Sequence, residues 1–289
     1  MKKDTKHIRA DIVNRSLNYI YKHIDTNISL EELSRLNSVS KYHFHRIFKE
    51  ETSENLFDRI STIRLQKAAN LLITNKFSTI SEIANLCGYS SHTSFIKAFK
   101  KRFTYTPSLW RNGAYKNFTK DKLALEENFI ERFKNLEPNI KVIPTKTCAY
   151  IRHKGYDALA LSKIWQKLLA FAYQNKLSNN TQIGVYHDNT TIIPYAECNY
   201  IAALEVDTNF IPTNSISKFE VLESLCAVFH YEGEYGDVCK LMTYIYQYWL
   251  PNSGYEATTL PAYAIYHKNH YLEGNNTFSL DFYTPIRVV

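Results

Sequence analysis

Thr79 to Arg111 reads TISEIANLCGYSSHTSFIKAFKKRFTYTPSLWR. Ile80, Ile83, Ala84 and Leu86 set an apolar stripe on a first short helix. Cys87-Gly88-Tyr89 ends it, with glycine where the backbone needs a left-handed residue. Ser90 or Ser91 can cap a second helix by accepting from its free N–H groups. On that helix Phe95 and Phe99 stand at i, i+4 and face inward, while His92, Thr93, Lys97, Lys100 and Lys101 face outward. Pro107 opens a further turn of helix. A short helix, a glycine turn and a helix with a polar, basic outer face form a helix-turn-helix pattern.

The pattern occurs once before. Leu33-Ser34-x-Leu36 precedes Ile83-Ala84-x-Leu86 by 50 residues, and Phe44 and Phe48 precede Phe95 and Phe99 by 51. A fixed offset marks a repeated unit. Ser29 with Glu32 has the spacing of a capping box at the start of the earlier unit, whose second helix is expected over about 40–52. Between the units, Leu56, Phe57, Ile60, Ile63, Ala68, Leu71 and Leu72 predict a long helix over about 54–74. Ahead of them, Ile12, Val13, Leu17, Ile20, Tyr21 and Ile24 predict an amphipathic helix over 8–24.

IANLCGYSSHTSFIKAFKKRF followed by TPSLWR, and RISTIRLQKAANLLI before it, resemble the AraC/XylS family of bacterial transcription regulators over residues 8–113. Ser53 and Thr104 depart from the family, which usually has glycine at those helix ends. The resemblance implies binding to double-stranded DNA through two recognition helices. By position it implies base contacts from Tyr42, His45 and Arg46 of the first and from His92, Thr93, Ile96 and Lys97 of the second. Lys41, Lys49, Ser91, Lys100 and Lys101 suit phosphates. The four phenylalanines are read as core. A connecting helix of roughly 20 residues spans about 30 Å, close to the ~34 Å of one turn of B-DNA. Two motifs in one chain let a monomer reach two adjacent grooves.

Charge agrees with this division. The net charge of +7 is +10 over residues 1–116 and −3 over 117–289. A basic half beside a mildly acidic half points to a polyanion for the first half alone. At 289 residues and 45% apolar content the chain has material for two folded domains. No apolar run reaches the length of a membrane span. MKKDTKHIRADIV has no apolar signal core, and five scattered cysteines lack any CxxC pair. Both features predict a cytoplasmic protein with reduced thiols. The histidine pairs His43/His45 and His267/His270 have no ligand cluster around them, so no metal or cofactor is expected.

The second half carries its own repeat. Cys148–Gly155 (CAYIRHKG) matches Cys226–Gly233 (CAVFHYEG) at an offset of 78, and Val185-Tyr186-His187-x-Asn189 matches Ile265-Tyr266-His267-x-Asn269 at 80. Each unit reads as strand, helix, strand, strand. Strands are expected over 140–153, 182–188, 198–207, 217–231, 262–268 and 277–285, and helices over 157–176 and 236–250. Two such units would pair into one sheet with both helices on one face. These residues, with WLPNSGYE (249–256), resemble the GyrI-like small-molecule-binding domains over 140–289.

The expected fold is therefore α+β with two domains. An all-α tandem helix-turn-helix domain occupies 1–113 and a polar linker 114–138, with a short helix at 122–133. A duplicated βαββ GyrI-like domain occupies 139–289. The expected function is sequence-specific transcription regulation, with RNA polymerase and a small-molecule effector as further partners. Trp165, Tyr186, Trp249, Tyr263 and Tyr266 are the effector-site candidates, because aromatic rings suit a flat or cationic ligand. GyrI-like pockets commonly carry a buried glutamate just before the Ile-Tyr of the second YHxN strand. Ala264 stands there, leaving Glu197, Glu205 or Glu232 as substitutes, or a neutral or anionic ligand. The enzyme-class alternative is a small-molecule hydrolase in the GyrI-like half. It needs a polarised carboxylate or thiol, and the missing glutamate counts against it.

Overall fold

Both helix-turn-helix units form with matching caps. Residues 2–119, 129–177, 181–212 and 216–289 are described by a computed structural model. α1 (Lys2–Lys22) leads into α2 (Leu30–Leu36) and α3 (Lys41–Thr52). α4 (Leu56–Thr74) connects them to α5 (Ile80–Leu86) and α6 (His92–Phe103). α2 and α5 each start with a complete capping box, Ser29/Glu32 and Thr79/Glu82. α3 and α6 are both 12 residues long and are capped by Ser40 and Ser91. Both end on a left-handed residue, Ser53 at φ 60° and Thr104 at φ 65°.

Gly88 has φ +76°, and a Cβ there would collide with the Ile24 carbonyl and the Arg64 guanidinium. Its counterpart 50 residues earlier is Ser38, which takes the same left-handed turn at φ 54°.

The two units do not share a core. Ile12, Leu17, Ile20, Leu33, Phe44, Phe48 and Ile60 close around the first. Leu72, Ile83, Phe95, Phe99 and Trp110 fill the second, and this cluster runs on without a break into the C-terminal half. Trp110 donates its indole N–H to the Ala69 carbonyl at 2.9 Å and so fixes the turn after α6 to α4. Short helices α7 (Pro107–Leu109) and α8 (Tyr115–Thr119) follow, with a kink at Gly113 between them. Of the helix expected at 122–133, α9 (Phe129–Phe133) is present and residues 122–128 lie outside the described residues. Phe133 packs on Tyr231 and Tyr244, and Arg132 pairs with Asp237 at 2.8 Å. This end of the expected linker is thus held to the sheet domain.

The C-terminal half is one antiparallel sheet. Its strands are β1 (Asn139–Ile143), β2 (Lys146–Lys154), β3 (Gln182–Tyr186), β4 (Asn199–Glu205), β5 (Ser217–Val221), β6 (Ser224–Glu234), β7 (Tyr255–Ala257), β8 (Ala262–Lys268) and β9 (Thr277–Val288). The order is β1-β6-β9-β8-β3-β4-β2-β5, with β7 paired to β9. Each long strand expected at the start of a unit is divided in two, at residues 144–145 and 222–223. The cause is an exchange of arms: β1 pairs with β6 of the second unit, and β5 pairs with β2 of the first. α10 (Ala158–Gln174) and α11 (Asp237–Tyr244) pack on one face, and α11 continues through a π turn to Trp249. The other face buries Tyr150, Ile183, Val185, Ile201, Tyr263 and Tyr283. α1 lies across part of it. Asn18 donates to the Tyr150 hydroxyl at 2.7 Å and accepts from Arg152 at 2.8 Å.

A second junction ties the sheet to the loop between α4 and α5. Glu256, only 2% exposed, accepts from the backbone N–H groups of Phe77 and Ser78 at 3.0 and 2.7 Å and pairs with Arg287 at 2.7 Å. No helix among the described residues is long and apolar enough to cross a membrane.

Candidate nucleic-acid interface and ligand site

α3 and α6 owe their orientation to their phenylalanines. Phe44 and Phe48, and Phe95, Phe99 and Phe103, are buried, so the remaining faces turn outward. Lys41, Tyr42, His45, Arg46 and Lys49 are exposed on α3, Tyr42 by 79%. His92, Thr93, Lys97, Lys100 and Lys101 are exposed on α6. Ile96 is half-buried and packs against the core beneath. Ser91 spends its hydroxyl on the Ser94 N–H at 3.3 Å. Lys41 pairs with Glu31 at 2.9 Å, and Arg46 lies 3.3 Å from His43 Nδ1. Arg102, a basic residue outside the candidate set, turns away to Thr62 on α4.

The supporting helices α2 and α5 carry Glu31, Glu32 and Glu82 in their first turns, whereas α3 and α6 carry no acidic residue there. The partial positive charge at the start of each outward helix is therefore not cancelled locally, and that favours a phosphate nearby.

The aromatic candidates of the sheet divide between its faces. Trp165, Tyr186 and Tyr266 meet with Tyr200 on the helix side. Tyr186 and Tyr266, the tyrosines of the two YHxN motifs, share a hydrogen bond of 2.8 Å between their hydroxyls. Trp165 donates to the Tyr200 hydroxyl at 3.3 Å. Burial raises the tyrosine pKa values well above the usual range, so these phenols stay neutral. Trp249 lies apart, edge-on to Phe229. Tyr263 is on the opposite face, stacked on Tyr283 at 4.6 Å.

Ala264 has a physical account. It pairs in register with Gly184, its counterpart in the first unit. A Cβ on Gly184 would come within 2.6 Å of the Tyr200 hydroxyl. The smallest residues stand at both positions, and tyrosine rings occupy the space in front. None of the three substitute glutamates enters this cluster. Glu197 and Glu232 are exposed, and Glu205 pairs with Lys146 at 2.9 Å.

The remaining motif residues have divergent roles. Asn189 and Asn269 each accept the N–H two residues on, at 2.9 and 3.1 Å. Asn189 also donates to Asn70 of α4 at 2.7 Å. His187 stacks on Tyr21 of α1, with ring centroids 3.9 Å apart. The sequence gives His267 and His270 no ligand cluster, but in the fold His267 has a carboxylate beside it. His267 faces Asp281 at 3.2 Å, and Asp281 also meets His230 at 2.9 Å. These three donors on β6, β8 and β9, two exposed histidines and a half-buried aspartate, could approach one metal ion. Burial pushes Cys87 and Cys148 up to about 12, which makes both poor nucleophiles.

The interdomain contacts were not foreseen from sequence. Asn75, Ser78, Glu256 and Arg287 have no local spacing that would join positions about 180–210 residues apart.

Family models match residues 136–287 as a GyrI-like small molecule binding domain and residues 33–113 as a helix-turn-helix domain. The chain is 33% identical over 120 residues to the uncharacterized HTH-type transcriptional regulator YbfP of Bacillus subtilis, covering 42% of this chain and 39% of that protein. It is 33% identical over 109 residues to the transposon Tn10 TetD protein of Escherichia coli, covering 37% of this chain and 78% of that protein. It is 33% identical over 107 residues to the transcriptional regulator Rob of Salmonella typhimurium, covering 37% and 36%. The matches thus span well under half the length of YbfP and of Rob.

Proposed function

The chain belongs to the GyrI-like family and carries an AraC-family helix-turn-helix domain ahead of the GyrI-like domain, and from that premise we propose that it is a sequence-specific regulator of transcription whose output follows a small-molecule effector. The observation that carries the reading is the duplicated outward helix. α3 and α6 have equal length, serine caps, buried phenylalanines and acid-free first turns. Such a pair suits two major grooves of one duplex.

In this reading Tyr42, His45, Arg46, His92, Thr93, Ile96 and Lys97 meet bases. Lys41, Lys49, Ser91, Lys100 and Lys101 meet phosphates, and Lys41 gives up Glu31 to do so. The boundary between the parts falls within 114–138. The protein acts in the cytoplasm, as a monomer on DNA, with RNA polymerase as its further partner. In this reading the chain is a regulator and not an enzyme, and the GyrI-like half serves as the sensor.

The test is selection of genomic duplex fragments by the full chain in the presence of excess non-specific competitor DNA. The reading expects a small set of enriched fragments sharing one sequence. Retention that only tracks salt concentration, with no enriched sequence, would contradict it.

A further inference from the structure

The sheet face opposite α10 and α11 is only partly covered by α1, and a cleft of about 520 Å³ opens between them. That volume lies in the range of drug-sized ligand sites, about 300–1,000 Å³. Its two walls come from different domains. Tyr19 and Tyr21 stand on the α1 side, and Val185, Phe219 and Tyr263 on the sheet side.

His187 lines the cleft and is more than nine-tenths buried. Neither ring nitrogen has a hydrogen-bond partner. A buried polar group left unpaired is costly unless something pairs with it. Burial, and then the cations Arg152, Lys67 and Arg59, hold its pKa well below the usual histidine range, so the ring is neutral. At the rim, Arg15 pairs with Asp11 at 3.1 Å and Lys22 with Glu220 at 3.5 Å. The rim charges are largely matched, so a charged ligand gains little there. On the helix side the rings of Tyr200 and Tyr266 crowd Gly184, the register partner of Ala264.

We propose that this interdomain cleft is the effector site, and that it takes an uncharged planar aromatic molecule with a polar edge directed at His187. The inference rests on the sensor reading of the GyrI-like half and adds where the ligand sits. A ligand bound there touches α1 and the sheet at once. Its binding energy therefore depends on how the DNA-binding half is docked, and by linkage it changes DNA affinity by the same factor that DNA changes its own.

The test uses the full chain and N-phenyl-1-naphthylamine, a neutral probe that fluoresces in apolar sites and carries one N–H. Wild type should bind it saturably. Leu222, between β5 and β6, and Leu36, at the end of α2, also line the cleft. Leu222→Trp and Leu36→Trp fill it from opposite walls, and each should weaken binding at least tenfold while the far-ultraviolet circular dichroism stays native. His187→Phe keeps the stack on Tyr21 and removes the nitrogens, and should weaken binding several-fold. Tyr173→Trp, on the exposed side of α10, should change nothing.

The probe should also shift affinity for the selected duplex in wild type and not in Leu222→Trp. Unchanged probe affinity in both filling variants would overturn the cleft and leave the sensor reading standing. So would the absence of saturable binding to wild type, while a thermal-shift screen of the full chain tests the sensor reading independently. Probe binding lost in the filling variants, with DNA affinity unmoved by the probe in wild type, would overturn the effector role.

Discussion

Asn75 and Ala257 exchange two hydrogen bonds: the Asn75 amide donates to the Ala257 carbonyl at 3.0 Å, and its oxygen accepts the Ala257 N–H at 3.0 Å. One residue at the end of α4 thus substitutes for a strand partner of β7. Both residues are buried, so neither backbone group can turn to water instead. With Glu256 on Phe77 and Ser78, the contact fixes the second helix-turn-helix unit to the sheet. The first unit is attached separately, through α1.

Asn75→Ala removes both bonds and leaves the Ala257 groups unsatisfied. Stability should fall by about 1–3 kcal/mol. Chemical denaturation of the full chain reads this directly, and an unchanged midpoint would show that the junction does not contribute.

The His187 contact should be sensitive to pH. Its folded pKa is depressed, first by burial and then by Arg152, Lys67 and Arg59, while the stacked Tyr21 carries no charge. Below about pH 6.5 the unfolded chain takes up a proton that the folded chain refuses. Stability should be fully present above that value and decline as pH falls from about 6.5 towards 5. His187→Phe should flatten the slope over this window, measured by urea midpoints at each pH. An identical slope in the variant would refute the assignment.

Ser53 and Thr104 hold left-handed backbone that costs an L-residue about 1–2 kcal/mol. Glycine relieves this but loses some freedom on folding. Ser53→Gly and Thr104→Gly should each raise stability by up to about 1 kcal/mol. Their effects should add, because the sites cap different helices and belong to different apolar clusters. A loss of stability in either variant would mean that its side chain does more than end a helix.

The helices were legible because their signals are local. Ser29 with Glu32, glycine at 88 and the phenylalanine spacings each act within a few residues, and the structure uses them as read. The repeat in the second half was legible for the same reason. The exchanged arms were not, since nothing in Asn139–Ile143 says that its partner strand lies about 85 residues away. The division of the aromatic candidates was recoverable in part. Tyr263 and Tyr266 are three apart on one strand, and strand alternation puts such a pair on opposite faces. The cleft against α1 could not be read at all, because it depends on how two separately patterned halves dock.

The central claim is that α3 and α6 read two parts of one duplex site. Its most direct measurement is binding-site selection with the full chain and with Arg46→Ala and Lys97→Ala. The account predicts a bipartite site with halves about one helical turn apart. Arg46→Ala should lose preference in one half only, and Lys97→Ala in the other, each weakening binding about 5- to 150-fold. Uniform weakening of all sequences by both variants, with no half-site singled out, would contradict it.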